Sequence, residues 1–266
     1  MAVRSDKVSR VEIDGLTLVE GVTPHVRFAF TERTGGVSEE PYSSLNLGTH
    51  VGDDPFAVAE NRRRVLEALG ASACEHNLLV PNQVHGDRIV TVSENGADYL
   101  EDVREQIAEG CDAVVCTVPD VPVMLCFADC APVVLVAPRA FAIAHSGWKG
   151  TFARIAGKTA MALAAASGCD ARDIKAYIGP HILGDEYEVS TELIEKFTAS
   201  FENVNPSGPR LLDLSSCIEQ SLVEAGVQPC DIHDLSLSTV RHNDRFYSYR
   251  AENGTCGRHA AVGVLC

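Results

Sequence analysis

Three residues in the middle of the chain have side chains suited to holding a metal: His85, Cys130 and His145. A thiolate and two imidazoles are donors that zinc and copper favour, and three protein donors leave a fourth position for water or substrate. Each closes an apolar run beside a Gly or an Asp: Asn82-Gln83-Val84-His85-Gly86, Ala128-Asp129-Cys130-Ala131-Pro132, and Ala144-His145-Ser146-Gly147. Spacing alone leaves two readings open. Neighbouring strands could bring the three together at one sheet edge as an open metal site. Equally, Cys130 could be a buried thiol and the histidines ordinary loop residues. A third chemistry is nucleophilic, with Cys130 attacking and His145 or His85 as its base.

The elements around these residues read as strands ending in loops. Val121–Phe127, Pro132–Ala137 and Phe141–His145 are short apolar runs bounded by Pro, Asp or Gly, as buried strands are. Ser146-Gly147-Trp148-Lys149-Gly150 then leads into a helix expected over Thr151–Ala166, capped by Thr151 and stopped by Gly168. Upstream, alternation over residues 11–32 predicts a hairpin turning at Gly15 and a strand at Val26–Phe30. Asp53-Asp54-Pro55 opens a helix that ends before Gly70. Ile89–Val92, Asp112–Val118 and Ala176–Gly179 read as strands, and Thr191–Phe201 and Ser215–Ala225 as helices. Strands are expected again around Arg245–Arg250 and at Ala260–Leu265. No βαβ period or repeat appears, and Asn203–Pro209 is too short a linker to divide the chain. The expectation is α+β: a single mixed domain over residues 1–266, with mixed β-sheets flanked by helices.

Composition narrows the partners. The net charge of −15, with no basic run longer than Arg62-Arg63-Arg64, disfavours nucleic acid and anionic membranes. No apolar stretch reaches the ~18 residues of a membrane span, and MAVRSDKVSR has no apolar targeting core. A cytoplasmic protein is expected. Its ten cysteines contain no C-x-x-C, so most should be free, buried thiols, and any metal site must be assembled from distant residues.

The three strings around His85, Cys130 and His145 resemble those of the laccase-domain family, whose members have been described as polyphenol oxidases and as zinc-dependent purine nucleoside phosphorylases. Further similar strings span nearly the whole chain. They are Gly35-Gly36-Val37-Ser38, Leu45-Asn46-Leu47-Gly48, Val51-Gly52-Asp53-Asp54, Ile178-Gly179-Pro180, Tyr187-Glu188-Val189, Phe246-Tyr247-Ser248-Tyr249-Arg250 and Gly257-Arg258. The resemblance implies that His85, Cys130 and His145 hold the metal and carry the catalysis. It departs at His181 and at Ser238-Thr239, where many relatives have cysteine.

A nucleoside phosphorylase also needs an anion site. Lys149 and the free amides expected at the start of the Thr151 helix are one candidate. Arg250 and Arg258 are others, since guanidinium pairs with phosphate in a bidentate way; Arg62 reads better as a surface cation. Asn46 could bond a sugar or base, or simply hold a turn, and Trp148 could stack on a purine or sit in the core. Asp129 and Asp112 could each be an acid/base or a turn cap. The function implied is phosphorolysis of adenosine or inosine at an open zinc site, with adenosine deamination as a possible second activity. The protein would act on small molecules as a monomer or small homo-oligomer. The alternatives are a copper-dependent phenol oxidase, a cysteine hydrolase or deamidase using Cys130, and a non-catalytic metal-stabilised module. The paired H-x-H strings of a true laccase are absent.

Overall fold

The computed structural model describes residues 8–265, so the readings of residues 1–7 and of Cys266 lie outside it. Strands β1 (Ser9–Ile13) and β2 (Leu16–Val22) form the expected hairpin, turning through Asp14 and Gly15, both at positive φ. β3 (Val26–Thr31) follows. Helix α1 (Pro55–Ala68) starts as its sequence dictates: the Asp54 side chain accepts the Phe56 N–H, and Pro55 occupies the first turn. Then come β4 (Ile89–Val92), α2 (Ala97–Ala108), β5 (Ala113–Cys116), β6 (Val123–Phe127), β7 (Ala131–Ala137) and β8 (Ala140–Ser146). α3 (Trp148–Phe152), α4 (Ile155–Ser167), β9 (Lys175–Ile178), α5 (Thr191–Thr198), α6 (Leu214–Glu224), β10 (Ile232–Asp234) and β11 (His259–Leu265) complete the order.

Two sheets stack between helices. One is antiparallel, in the order β1-β2-β3-β11-β6; the other is mixed, in the order β10-β9-β7-β8-β5-β4. Side-chain alternation along the strands explains the layering. On β8, Ala140, Ala142 and Ala144 face α4, and their small size lets the helix lie close; Phe141 and Ile143 point the other way, into the space between the sheets. On β6, Met124 and Cys126 face α1, while Val123, Leu125 and Phe127 join that inter-sheet core. Phe28, Phe30 and Tyr177 are fully buried there too, and burial of each large apolar side chain contributes about 1.5–3 kcal/mol. The α+β class with mixed β-sheets flanked by helices is therefore the one found. Among the described residues, no helix is long and apolar enough to cross a membrane.

Four expectations need correction. The strands flanking Cys130 are not neighbours in one sheet: β6 belongs to the antiparallel sheet and β7 to the mixed one. The donors therefore meet where the sheets stack, not along one sheet edge. The helix expected from Thr151 is broken, because Arg154 takes left-handed dihedrals (φ 60°) and separates α3 from α4. The Thr151 amide is not free but donates to the Gly147 carbonyl (2.8 Å). Residues 245–250 form turns instead of a strand. Their apolar members, Phe246 and Tyr247, are anchors of a loop, and Arg245 pairs with buried Glu32. Finally, α2 was not anticipated, although Leu100, Val103 and Ile107 sit on its buried face at helical spacing.

Candidate functional site

His145 is the penultimate residue of β8 and continues the face carrying Phe141 and Ile143, which places its ring at one end of the inter-sheet core, 3% exposed. Cys130 lies in the Ala128–Cys130 passage that carries the chain from one sheet to the other. Asp129 turns that passage at φ 84°. Its carboxylate is anchored on both sides, accepting from the Thr239 hydroxyl (2.6 Å) and from the Arg250 N–H (2.7 Å). His85 sits at φ 60° in the loop before β4.

That loop is held by one buried carboxylate. Asp112, fully buried just before β5, accepts the backbone N–H groups of Val84 (3.2 Å), His85 (2.9 Å) and Gly86 (2.7 Å). The same carboxylate accepts Nδ1 of His145 at 2.8 Å, which leaves Nε2 as the free donor of that ring. The Asp112 carbonyl also accepts the His145 N–H (2.7 Å). Asp112 is thus a turn cap and an imidazole orienter together. Burial alone would push its carboxyl up, but the bonds from His145 and the loop amides outweigh that and hold it below the usual carboxylate range.

The donor atoms of His85, Cys130 and His145 all lie within 4.8 Å of one another. Small side-chain adjustments bring such a set to the ~2.0–2.3 Å bonds of a shared zinc-type ion. Gly147 completes the fit, since a Cβ there would stand 2.8 Å from Cys130 Sγ and 3.3 Å from His85 Cδ2. The electrostatics suit a cation as well. Burial opposes ionisation of Cys130, yet the facing His145 and hydrogen bonds from both histidines bring the thiol down to about 6. Burial likewise opposes charge on His145, and Cys130 and Asp112 together raise it to about 9. One thiolate and two imidazoles, one of them oriented by a carboxylate, can hold a metal ion.

The trio lines a cavity of about 500 Å³, within the range of small-molecule sites. One part of the wall is apolar and aromatic: Phe127, Trp148, Ile182, Tyr187, Leu214 and Tyr249. Another is polar: His50, Gln83, Arg250 and Arg258. Arg250 and Arg258 therefore reach the cavity as anticipated, and Trp148 is a wall residue. Arg62 lines an adjoining cavity that shares His50, Gln83 and Cys126 with the first. Lys149 is not brought in; it is exposed, with its ammonium 5.6 Å from the Trp148 ring. Asn46 is fully buried behind the site, where its amide binds Gly48, Asp53 and the Arg258 N–H. His181 and Ser238 are paired through a backbone bridge. The His181 ring bonds Gly179 and Ser215, and the Ser238 hydroxyl donates to Glu186. His50, Tyr187 and Leu214 carry no local signal as site residues, because nothing in the nearby sequence marks a residue that reaches a cavity from a distant loop or helix start.

Comparison with known proteins places these features. The family described as multi-copper polyphenol oxidoreductase laccase matches residues 27–266. A Deinococcus radiodurans protein named purine nucleoside phosphorylase is 38% identical over 254 residues, covering 93% of this chain and 92% of its own. A protein named adenosine deaminase RL5, from an unknown prokaryotic organism, is 31% identical over 257 residues, covering 93% and 95%. Among solved structures, the Bacillus licheniformis hypothetical protein YfiH superposes with a TM-score of 0.84 at 32% identity, covering 97% of this chain and 98% of that one.

Proposed function

This chain belongs to the family described as multi-copper polyphenol oxidoreductase laccase, and on that footing we propose that it is a purine nucleoside phosphorylase with a second, adenosine-deaminating activity in the same cavity. Phosphorolysis breaks the glycosidic C–N bond and joins the anomeric carbon to a phosphate oxygen, giving free base and ribose 1-phosphate. Deamination exchanges the exocyclic amine of adenosine for the oxygen of water, giving inosine and ammonia. The observation that carries this reading is the convergence of His85, Cys130 and His145 on a cavity with both aromatic and cationic walls. Its relatives named purine nucleoside phosphorylase and adenosine deaminase support the two activities.

Each group has a part in this scheme. His85, Cys130 and His145 hold the ion, which we take to be zinc. Bound there, zinc would supply a Lewis acid with a position open to the cavity. Asp112 keeps the His145 tautomer and the His85 loop in place before substrate arrives. Trp148, Tyr187 and Tyr249 offer flat apolar surfaces for a purine. Arg250 stands with its guanidinium 5.4 Å from the Tyr187 ring, where it can bond polar edges of the nucleoside. We place the reaction in the cytoplasm, in keeping with the free thiols of the described cysteines.

The phenol-oxidase alternative lacks support. Neither relative named above is an oxidase by name, and among the described residues no second His/Cys/Asp/Glu group of ligand geometry accompanies the trio. Chromatography of adenosine and inosine incubated with and without orthophosphate tests the proposal. Adenine and ribose 1-phosphate should appear only with phosphate, and without it adenosine should yield at most inosine. Absence of base release by protein carrying stoichiometric metal would rule out the phosphorylase.

A further inference from the structure

Arginine use in this acidic protein is uneven. Twelve described arginines form ion pairs with carboxylates. Among the described residues, Arg62, Arg139, Arg250 and Arg258 do not. Arg139 lies exposed in the β7–β8 turn, whereas the other three line the metal cavity or the one adjoining it. A protein of net charge −15 has ample carboxylates to neutralise them. Cations left unpaired on a cavity wall are available to an anion from solution.

Two of the three converge on His50. Arg62 donates Nε and Nη2 to the Leu47 carbonyl (3.0 and 2.7 Å), and the Leu47 N–H donates to the Arg258 carbonyl (3.0 Å). The next residue, Gly48, leaves the space through which Arg258 passes, since a Cβ there would lie 2.8 Å from Arg258 Cγ and 3.4 Å from His50 Cε1. Arg258 uses Nη1 on the carbonyls of Cys256 and Gly257. Its Nη2 and Nε make no hydrogen bond to protein among the described residues, and beyond the Leu47 carbonyl the Arg62 guanidinium reaches only the buried Cys126 thiol there, not a carboxylate. His50 belongs to the walls of both cavities. Partial desolvation, then the fields of Arg258 and Arg62, hold its pKa down, so its imidazole is neutral and can donate one hydrogen bond to an oxyanion.

We propose that Arg62, Arg258 and His50 form the subsite for orthophosphate, reached through the adjoining cavity, while the aromatic wall is left to the nucleoside. The subsite rests on the phosphorylase activity proposed above and replaces the anion site expected at Lys149 and Thr151. The phosphoryl group of ribose 1-phosphate would occupy the same place. Two entrances would let phosphate arrive with the nucleoside already seated. Phosphate of charge near −2 finds the guanidinium groups of Arg62 and Arg258 at that subsite; no carboxylate lines the adjoining cavity, and the one lining the metal cavity, Asp129, is already engaged by the Thr239 hydroxyl and the Arg250 N–H.

Titration calorimetry of orthophosphate into metal-loaded protein, with steady-state kinetics on adenosine, tests the assignment. Arg62→Gln and Arg258→Gln should each weaken phosphate binding and raise the phosphate KM by about tenfold or more, with the adenosine KM changed less than about twofold. Both arginines also brace backbone carbonyls, so a third variant is needed. Thr49→Asp puts a carboxylate on the exposed edge of the same wall and removes no packing. It should raise the phosphate KM at unchanged metal content and melting temperature. Phosphate affinity unaltered in all three variants overturns the subsite, as does a loss confined to Arg250→Gln. Phosphate binding that these variants abolish, in a protein that cleaves no nucleoside, would keep the subsite and overturn the phosphorylase.

Discussion

Nδ1 of His145 lies 2.8 Å from Oδ1 of Asp112, inside a core where neither residue meets solvent appreciably. The same carboxylate gathers three successive amides of the loop that carries His85. One side chain therefore sets the orientation of one proposed metal ligand and the backbone of another. Asp112→Asn keeps the shape but loses the charge and one acceptor. Metal affinity should fall by roughly 10–100-fold, read by competition with a chromogenic chelator. An unchanged affinity would mean that Asp112 serves the loop alone.

Cys130→Ala removes the single thiolate of the trio while leaving Asp129 and its two hydrogen bonds in place. Wild-type protein should carry about one zinc per chain, and the variant far less, by elemental analysis. Equal metal in the two proteins would take Cys130 out of the ligand set.

Chelation and alkylation separate the metal enzyme from a free-thiol hydrolase. A strong chelator should abolish turnover and zinc should restore it. Iodoacetamide should react slowly with Cys130 while metal is bound and faster after its removal, because coordination occupies the thiolate that alkylation needs. Full turnover by metal-free protein, lost on alkylation, would favour the cysteine-hydrolase mechanism.

His259, at the start of β11, is fully buried between Phe127 and Phe246, and neither ring nitrogen makes a hydrogen bond of normal geometry. Burial, above all, lowers its pKa to about 3. The sign follows from linkage. Above the ordinary histidine value of ~6.5 both folded and unfolded states hold a neutral ring; below it only the unfolded chain gains the proton. Stability should fall by about 2 kcal/mol between pH 7 and pH 5 from this group alone. His259→Phe should flatten that part of the profile, measured by urea denaturation at the two pH values. An identical pH slope in the variant would contradict a neutral, buried His259.

The sequence by itself determined the pieces whose physics is local. The Asp14-Gly15 turn, the Asp54-Pro55 helix start and the strands around Cys130 and His145 follow from turn chemistry, capping and apolar runs confined to a few residues. The donor types of His85, Cys130 and His145 were legible in the same way, because ligand chemistry belongs to the side chain itself. Only the tertiary structure decided what depends on residues far apart in the chain. It put β6 and β7 in different sheets, joined the His145 ring to the His85 loop through Asp112, broke the helix at Arg154, and started it at Trp148 so that Thr151 has no free amide. It also chose which arginines stay unpaired. Arg62 and Arg258 look like any other cations in sequence, and only packing shows that carboxylates reach Arg63 and Arg64 but not these two. A charge is marked as functional by the partners it lacks, and such a lack can be read only once every neighbour has been placed.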